Sequence, residues 1–200
     1  MKRIMVSALL CAMAAPAWSS DFYASVNFGA SNWDTEFNED FNFDGSLSGG
    51  KWRRGDVAGG VRLGYQLNDL VAAEIGYQSL GRSYYEGRST GSGSFYCRGA
   101  VDAEVSGSAW DATLVGTFPV IDAIHIMGRA GLARWSAEAE VNDSCGRVSA
   151  SDSGTDPTIG LGLHIAPNDR IAFRVEGQQY RNVGSDYDVN VFSLGFLGRF

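Results

Sequence analysis

Stepping back from the C-terminus two residues at a time, Phe200, Gly198, Phe196, Leu194 and Phe192 fall on one side of an extended chain. Arg199, Leu197, Gly195, Ser193 and Val191 fall on the other. A strand turns successive side chains to opposite faces, so this segment writes one face for an apolar medium and the other for a mixed one. Seven further stretches repeat the pattern. Their apolar positions are Phe22, Ala24, Val26, Phe28; Val57, Gly59, Val61, Leu63, Tyr65, Leu67; and Val71, Ala73, Ile75, Tyr77. Then come Trp110, Ala112, Leu114, Gly116, Phe118; Ile124, Ile126, Gly128, Ala130, Leu132; Ile159, Leu161, Leu163, Ile165; and Ile171, Phe173, Val175, Gly177. No charged residue interrupts any of these sets.

The alternate faces are rich in small residues but carry a few large charges of both signs. Arg62, Arg129, Arg174 and Arg199 stand against Glu74, Asp111 and Glu176. Such a near balance suits a narrow interior in which charges neutralise one another, because an unpaired buried charge is costly. In a soluble barrel or sandwich the apolar face would be the core, and alternation alone does not separate the two cases.

Connection lengths do separate them. Leu67 to Val71, Phe118 to Ile124 and Ile165 to Ile171 are short links bearing Asn68-Asp69, Pro119 and Pro167-Asn168-Asp169, which are turn residues. The other links are long, spanning about 31–56, 79–109 and 133–158, with a shorter one over 178–190. Alternating long and short links predict an all-β, eight-stranded antiparallel up-and-down transmembrane barrel with short turns on the side of the termini. A charge on the lipid face at mid-membrane costs roughly 2–4 kcal/mol, so the apolar sets face lipid and the arginines face in. Backbone groups find no water in that layer, so the sheet must close on itself. Eight strands leave an interior that side chains fill. Tyr23, Tyr65, Phe118 and Phe200 at the short-turn ends, and Tyr77 and Trp110 at the long-loop ends, suit two interfacial girdles. Trp33, Trp52 and Trp135 do not keep the outward parity and are assigned to the loops.

Composition adds the compartment. "MKRIMVSALLCAMAAPAWSS" has two cations, a short apolar run and then small residues, the layout of a secretory signal peptide. Cleavage after Ala17, Ser19 or Ser20 is compatible with it. The domain expectation is a leader over 1–20 and one barrel domain over 21–200. A net charge of −7, more negative still without Lys2 and Arg3, argues against nucleic-acid binding. Beyond the leader, Cys97 and Cys145 are the two cysteines, and an even count in an exported chain reads as a disulfide. They lie in the second and third long links. Bridging them closes a loop of about 49 residues, on the order of 4 kcal/mol in the chain-entropy model.

With these features assembled, "GGVRLGYQLNDLVAAEIGYQ", "GRAGLARW", "IGLGLHIAPNDRIAFRVEGQQY" and "VFSLGFLGRF" resemble the small eight-stranded outer-membrane barrel family, the group like the OmpA transmembrane domain. The resemblance covers residues 22–200. It implies residence in the outer membrane of a Gram-negative bacterium, among lipid and lipopolysaccharide. It also implies that the last strand is read by the barrel-assembly machinery, with Leu194, Phe196 and Phe200 as the signal, while Gly198 departs from the bulky residue usual at that position.

Few residues suggest chemistry. His125 and His164 point inward near the short-turn ends, and two histidines without a third ligand predict ordinary lumen packing, not a metal site. Neither has a neighbouring serine, so no catalytic residue and no cofactor is assigned. "GGKWRRG", Gly49 to Gly55, sets three cations beside an aromatic residue and suits contact with lipopolysaccharide phosphates, or a plain solvated patch. The expected role is non-enzymatic: structural, or surface contact through the long loops with a ligand left open. A lipid-modifying enzyme is the first alternative. A periplasmic lipocalin-like binder, which would need an apolar lumen, is the second.

Overall fold

The computed structural model describes residues 21–36, 41–184 and 187–200. The expected leader, and residues 37–40 of the first long link, lie outside the described residues. Nine strands follow in order: β1 Phe22–Trp33, β2 Leu47–Arg53, β3 Val57–Asn68, β4 Val71–Ser89, β5 Gly99–Ile121, β6 Ile124–Asp143, β7 Gly146–Ile165, β8 Ile171–Val183 and β9 Tyr187–Arg199. All but β2 close into an antiparallel ring, β1-β3-β4-β5-β6-β7-β8-β9, in which β9 returns to β1 through pairs such as Val26 with Phe196. The ring is the eight-stranded barrel that the alternation predicts. β2 pairs only with the outer part of β4.

Outward positions match the apolar sets: Leu161 is 72% exposed, Phe118 69% and Phe28 67%. These residues cannot be a core, since nothing in the fold covers them. Hydrocarbon is the medium that accommodates a continuous belt of this kind. Arg62, Glu74, Asp111, Arg129, Arg174 and Glu176 are all buried inside the ring. Tyr77 lies against Trp110 at 5.2 Å between ring centres, marking the outer girdle. At the opposite end Phe22 meets Tyr65 at 4.8 Å. Tyr23 is not in that girdle. It points inward and is buried, because its hydroxyl serves the lumen network.

The long links are mostly strand. β4, β5, β6 and β7 continue well past the outer girdle, leaving a loop over 90–98 and a two-residue turn, Ser144-Cys145. Once above the membrane, water reaches most of both sides of the sheet, so no continuous outward apolar face is needed. Buried apolar residues of the extensions gather on the side where the first long link covers β4 and β5, as at Tyr85, Val101 and Ala103. A bulge between Ser79 and Arg82, with Gly81 at φ 64°, shifts β4 by one residue. Glu74 and Gln78 point in below it, and Ser83 and Tyr85 point in above it.

Candidate functional site: a sealed lumen beneath a surface sheet

The lumen is layered. Nearest the short turns, Tyr23, Ala72, Ala172 and Leu197 form an apolar floor. Above it Glu74 accepts from Arg129 Nη2 at 2.9 Å, from Arg174 Nη1 at 2.5 Å and from the Tyr23 hydroxyl at 2.6 Å. Arg129 also pairs with Glu176. One layer higher, Arg62 Nη2 donates to Gln178 Oε1 at 2.6 Å and lies 3.4 Å from Asp111, whose carboxylate accepts the Tyr180 hydroxyl at 2.8 Å. Three arginines thus meet three acids in two stacked groups, Arg129 and Arg174 with Glu74 and Glu176, and Arg62 with Asp111. Register explains the convergence. Arg62 and Glu74 belong to the paired strands β3 and β4, with Asp111 on β5, while Gly76, Gly160 and Gly162 leave room where these long side chains cross. At Gly160 an added Cβ would lie 2.9 Å from Arg129 Cγ.

Over the charges sits a second apolar layer, built around Trp33, Leu80, Ala133, Trp135, Val183 and Val189. Trp33 is fully buried, and its indole Nε1 donates to the Leu80 carbonyl at 2.9 Å. This overturns the assignment of Trp33 and Trp135 to loops. Both keep inward parity on β1 and β6, so the sequence carries the signal, and the rings belong in the lumen because they pack over its charged layer. The fourth arginine, Arg199, is exposed at the short-turn mouth and stands apart from the network.

That mouth encloses a cavity of about 530 Å³ bordered by His125, His164, Arg174 and Arg199 among others. His125 and His164 are directly paired across β6 and β7, their rings 5.9 Å apart. Arg174 Nε donates to His164 Nδ1 at 3.3 Å, so that imidazole is engaged in packing the floor. No serine borders the cavity among the described residues.

Outside the membrane, Phe41, Leu47, Tyr85, Tyr96, Val101 and Ala103 form a small separate core that fastens the first long link to the sheet. The Tyr96 hydroxyl donates to the Phe41 carbonyl at 2.7 Å. Burial, with the nearby Asp44 carboxylate, pushes that hydroxyl up to about 12, so it stays a donor. Cys97 and Cys145 are joined, with Cα atoms 5.9 Å apart. Asp143 clamps the bridge, accepting from Cys97 N at 2.9 Å and Cys145 N at 2.8 Å. Those amide bonds, Cys97 first, hold the Asp143 carboxyl below its ordinary value. With both sulfurs in the disulfide, the Asp143 carboxylate is the one charged metal ligand left in that cluster.

A basic, aromatic ridge occupies the β2 side. Lys51 pairs with Glu86 and Arg53 with Tyr84 in the β2–β4 register. The guanidinium of Arg53 lies 5.8 Å from the centre of the Tyr84 ring, that of Arg82 lies 6.0 Å from the same ring, and that of Arg54 lies 5.4 Å from Trp52. Arg82 bridges Asp56 at 2.6 Å and Glu104 at 3.2 Å. It sits opposite Ser106, four residues beyond Trp110, hence roughly 13 Å further along the strand than the girdle.

A closed ring with lipid-compatible residues outside and a neutralised, plugged lumen inside defines a small transmembrane β-barrel of the outer-membrane kind. Residues 4–200 match the family model described as "Outer membrane protein beta-barrel domain", and the chain belongs to that family. Among curated relatives it is 29% identical over 199 residues to outer membrane protein A of Serratia marcescens, covering 94% of this chain and 52% of that one. It is 31% identical over 159 residues to outer membrane protein A of Klebsiella pneumoniae, covering 76% and 43%. The chain thus spans about half the length of the curated relatives it matches. In fold it is similar to Neisserial surface protein A, with a TM-score of 0.56 at 13% identity over 91% of this chain and 98% of that one. It is also similar to Ail, the attachment invasion locus protein of Yersinia pestis, with a TM-score of 0.53 at 15% identity over 90% and 99%. The outer membrane is accordingly its location.

Proposed function

We propose that the protein is a non-enzymatic surface-contact barrel whose sealed lumen anchors a stiff extracellular sheet. In this reading the basic, aromatic ridge of that sheet contacts phosphates of lipopolysaccharide. The observation that carries it is the placing of the Arg53 and Arg54 guanidinium groups over Tyr84 and Trp52, with Lys51 on the same strand, just above the Tyr77–Trp110 girdle. Guanidinium groups laid on aromatic rings keep their N–H forks free for phosphate oxygens. The last strand, with Leu194 outward, serves as the barrel-assembly signal together with Phe196 and Phe200, and residues 1–20 serve as the export leader. A lipid-modifying role finds less support, because both histidines border the short-turn mouth and His164 is held by Arg174.

The test is binding of detergent-solubilised barrel to immobilised lipopolysaccharide. Replacing Lys51, Arg53 and Arg54 together by Gln should weaken it at least tenfold and flatten its salt dependence. Ail was solved with the heparin analogue sucrose octasulfate, which makes that polyanion a convenient competitor. Equal binding by the native and substituted barrels, or unchanged binding to dephosphorylated lipopolysaccharide, would remove the ridge from the account.

A further inference from the structure

Above the membrane the ring opens. β6 and β7 remain paired out to Asp143 with Gly146, whereas β7 and β8 separate beyond Thr158 with Tyr180. Residues 146–157 of β7 therefore have β6 on one side and, among the described residues, no strand on the other. The extracellular sheet runs β2-β4-β5-β6-β7, so its two edges are β2 and this part of β7.

The two edges are built differently. β2 is seven residues long, breaks register between Ser48 and Lys51, places Gly49 and Gly50 at φ 65° and 105°, and carries Lys51 and Arg53. Bulges, short length and cations are devices that keep an edge from recruiting other strands. The β7 edge pairs with β6 through its whole length without a register shift. Its side chains are mostly Ser, Ala, Gly, Asp and Thr, and all of residues 146–153 are exposed.

Backbone direction follows from the turn. Ser144-Cys145 makes a two-residue hairpin, and the pair closing such a turn exchanges its own hydrogen bonds. Alternation from Gly146 then aims the backbone groups of Arg147, Ser149, Ser151, Ser153 and Thr155 away from β6. Two features agree with that count. Ser153 N–H donates to the neighbouring Asp152 carboxylate at 2.7 Å, a local substitute for a strand partner. Pro157, which has no N–H to give, falls in the same series, where its missing donor costs no ladder bond.

We propose that this edge takes up an extended, basic segment of a partner polypeptide as an added strand. Backbone pairing would supply affinity, since small side chains impose little selection on an incoming chain. Charge supplies the sign. Glu138, Glu140, Asp152 and Asp156 on the β6–β7 ribbon outnumber its cations, Arg134 near the membrane end and Arg147, which is held by Glu140. A second copy of the same edge would bring two acidic ribbons together, so a basic foreign segment is the better occupant. The inference rests on reading the outer sheet as a contact surface, but not on the basic ridge, so either can fail alone.

The experiment uses purified barrel in detergent micelles and a fluorescent twelve-residue peptide of alternating Lys and Thr. A matched peptide N-methylated on alternate backbone nitrogens keeps the charge but cannot pair. Saturable binding of the first peptide, at least tenfold tighter than the second, is expected. Ser149→Pro with Ser151→Pro should abolish the difference while heat-dependent gel migration shows the barrel folded. Equal binding of the two peptides would reduce the edge to an acidic surface and overturn the proposal, as would no binding of either. Dimerisation without peptide that the proline variant loses would assign the edge to a second copy and also overturn it.

Discussion

Neutralising Glu74 tests the lumen most severely. Its two oxygens hold Arg129 and Arg174 and receive the Tyr23 hydroxyl, and the residue is 2% exposed. In Glu74→Gln the carbonyl oxygen can stand in for Oε1, which accepts from Arg174 and Tyr23, but Arg129 loses the oxygen it pairs with. The new amide group would then face another guanidinium, and three arginines would share two acids. Removing one partner of a buried ion pair costs about 3–5 kcal/mol, much of it from the charge left behind. Of the other lumen acids, Glu176 is already paired with Arg129 and Asp111 with Arg62 one layer higher, so little of that cost can be recovered locally. Urea unfolding of the barrel in lipid vesicles should show a loss of about 3–5 kcal/mol for Glu74→Gln. Adding Arg174→Gln restores the balance, two arginines against two acids, so the double variant should be more stable than the two single losses combined. A single-variant loss below about 1 kcal/mol, or strictly additive losses, would mean that the lumen charges are bathed by water and the sealed interior is wrong.

Other consequences are as specific. Leu161→Arg puts a charge on the lipid side of β7 and should destabilise the membrane-inserted barrel by about 2–4 kcal/mol in the same unfolding assay, whereas Ser151→Arg on its extracellular part should change little. Trp33→Ala removes the fully buried plug residue and should cost about 3–5 kcal/mol and raise single-channel conductance in planar bilayers. Reducing Cys97–Cys145 frees a loop with a sequence separation of 48, and native mass spectrometry after limited proteolysis should find new cleavage in 90–98 while the membrane strands stay intact. The Asp143 carboxyl lies below its ordinary value of 3.8. Its clamp is therefore complete above that pH and fades as pH falls through the lower, folded value, which the amide resonances of Cys97 and Cys145 should report together.

Which parts of this fold were legible follows from where water is. Within the membrane each strand separates two media, so period two survives in the sequence, and the outward sets and the six lumen charges could be read directly. Outside the membrane water reaches most of both faces, the small core around Tyr85 and Val101 excepted. "RSYYEGRST" and "RVSASDSGTDP" carry no alternation, and strand extensions were read as loops over 79–109 and 133–158. β2 was invisible for the same reason, with Gly49 and Gly50 disguising its kinked course. Trp33, Trp135 and Tyr23 show the other limit. Parity gave their direction, but only the packed lumen shows why large rings belong there, as plug and floor around a charged middle layer. The pairing of basic side chains with rings on the ridge depends on the β2–β4 register, which no local pattern announces.

The central claim is the sidedness of the ring, and nuclear Overhauser contacts between lipid acyl chains and methyl groups measure it most directly. In nanodiscs, Leu114, Leu161 and Leu194 should show strong acyl-chain contacts, while Val115, Met127 and Val191, each next to an outward residue but buried inside, should show none. Acyl contacts at the second group and not the first would turn the barrel inside out and contradict the account.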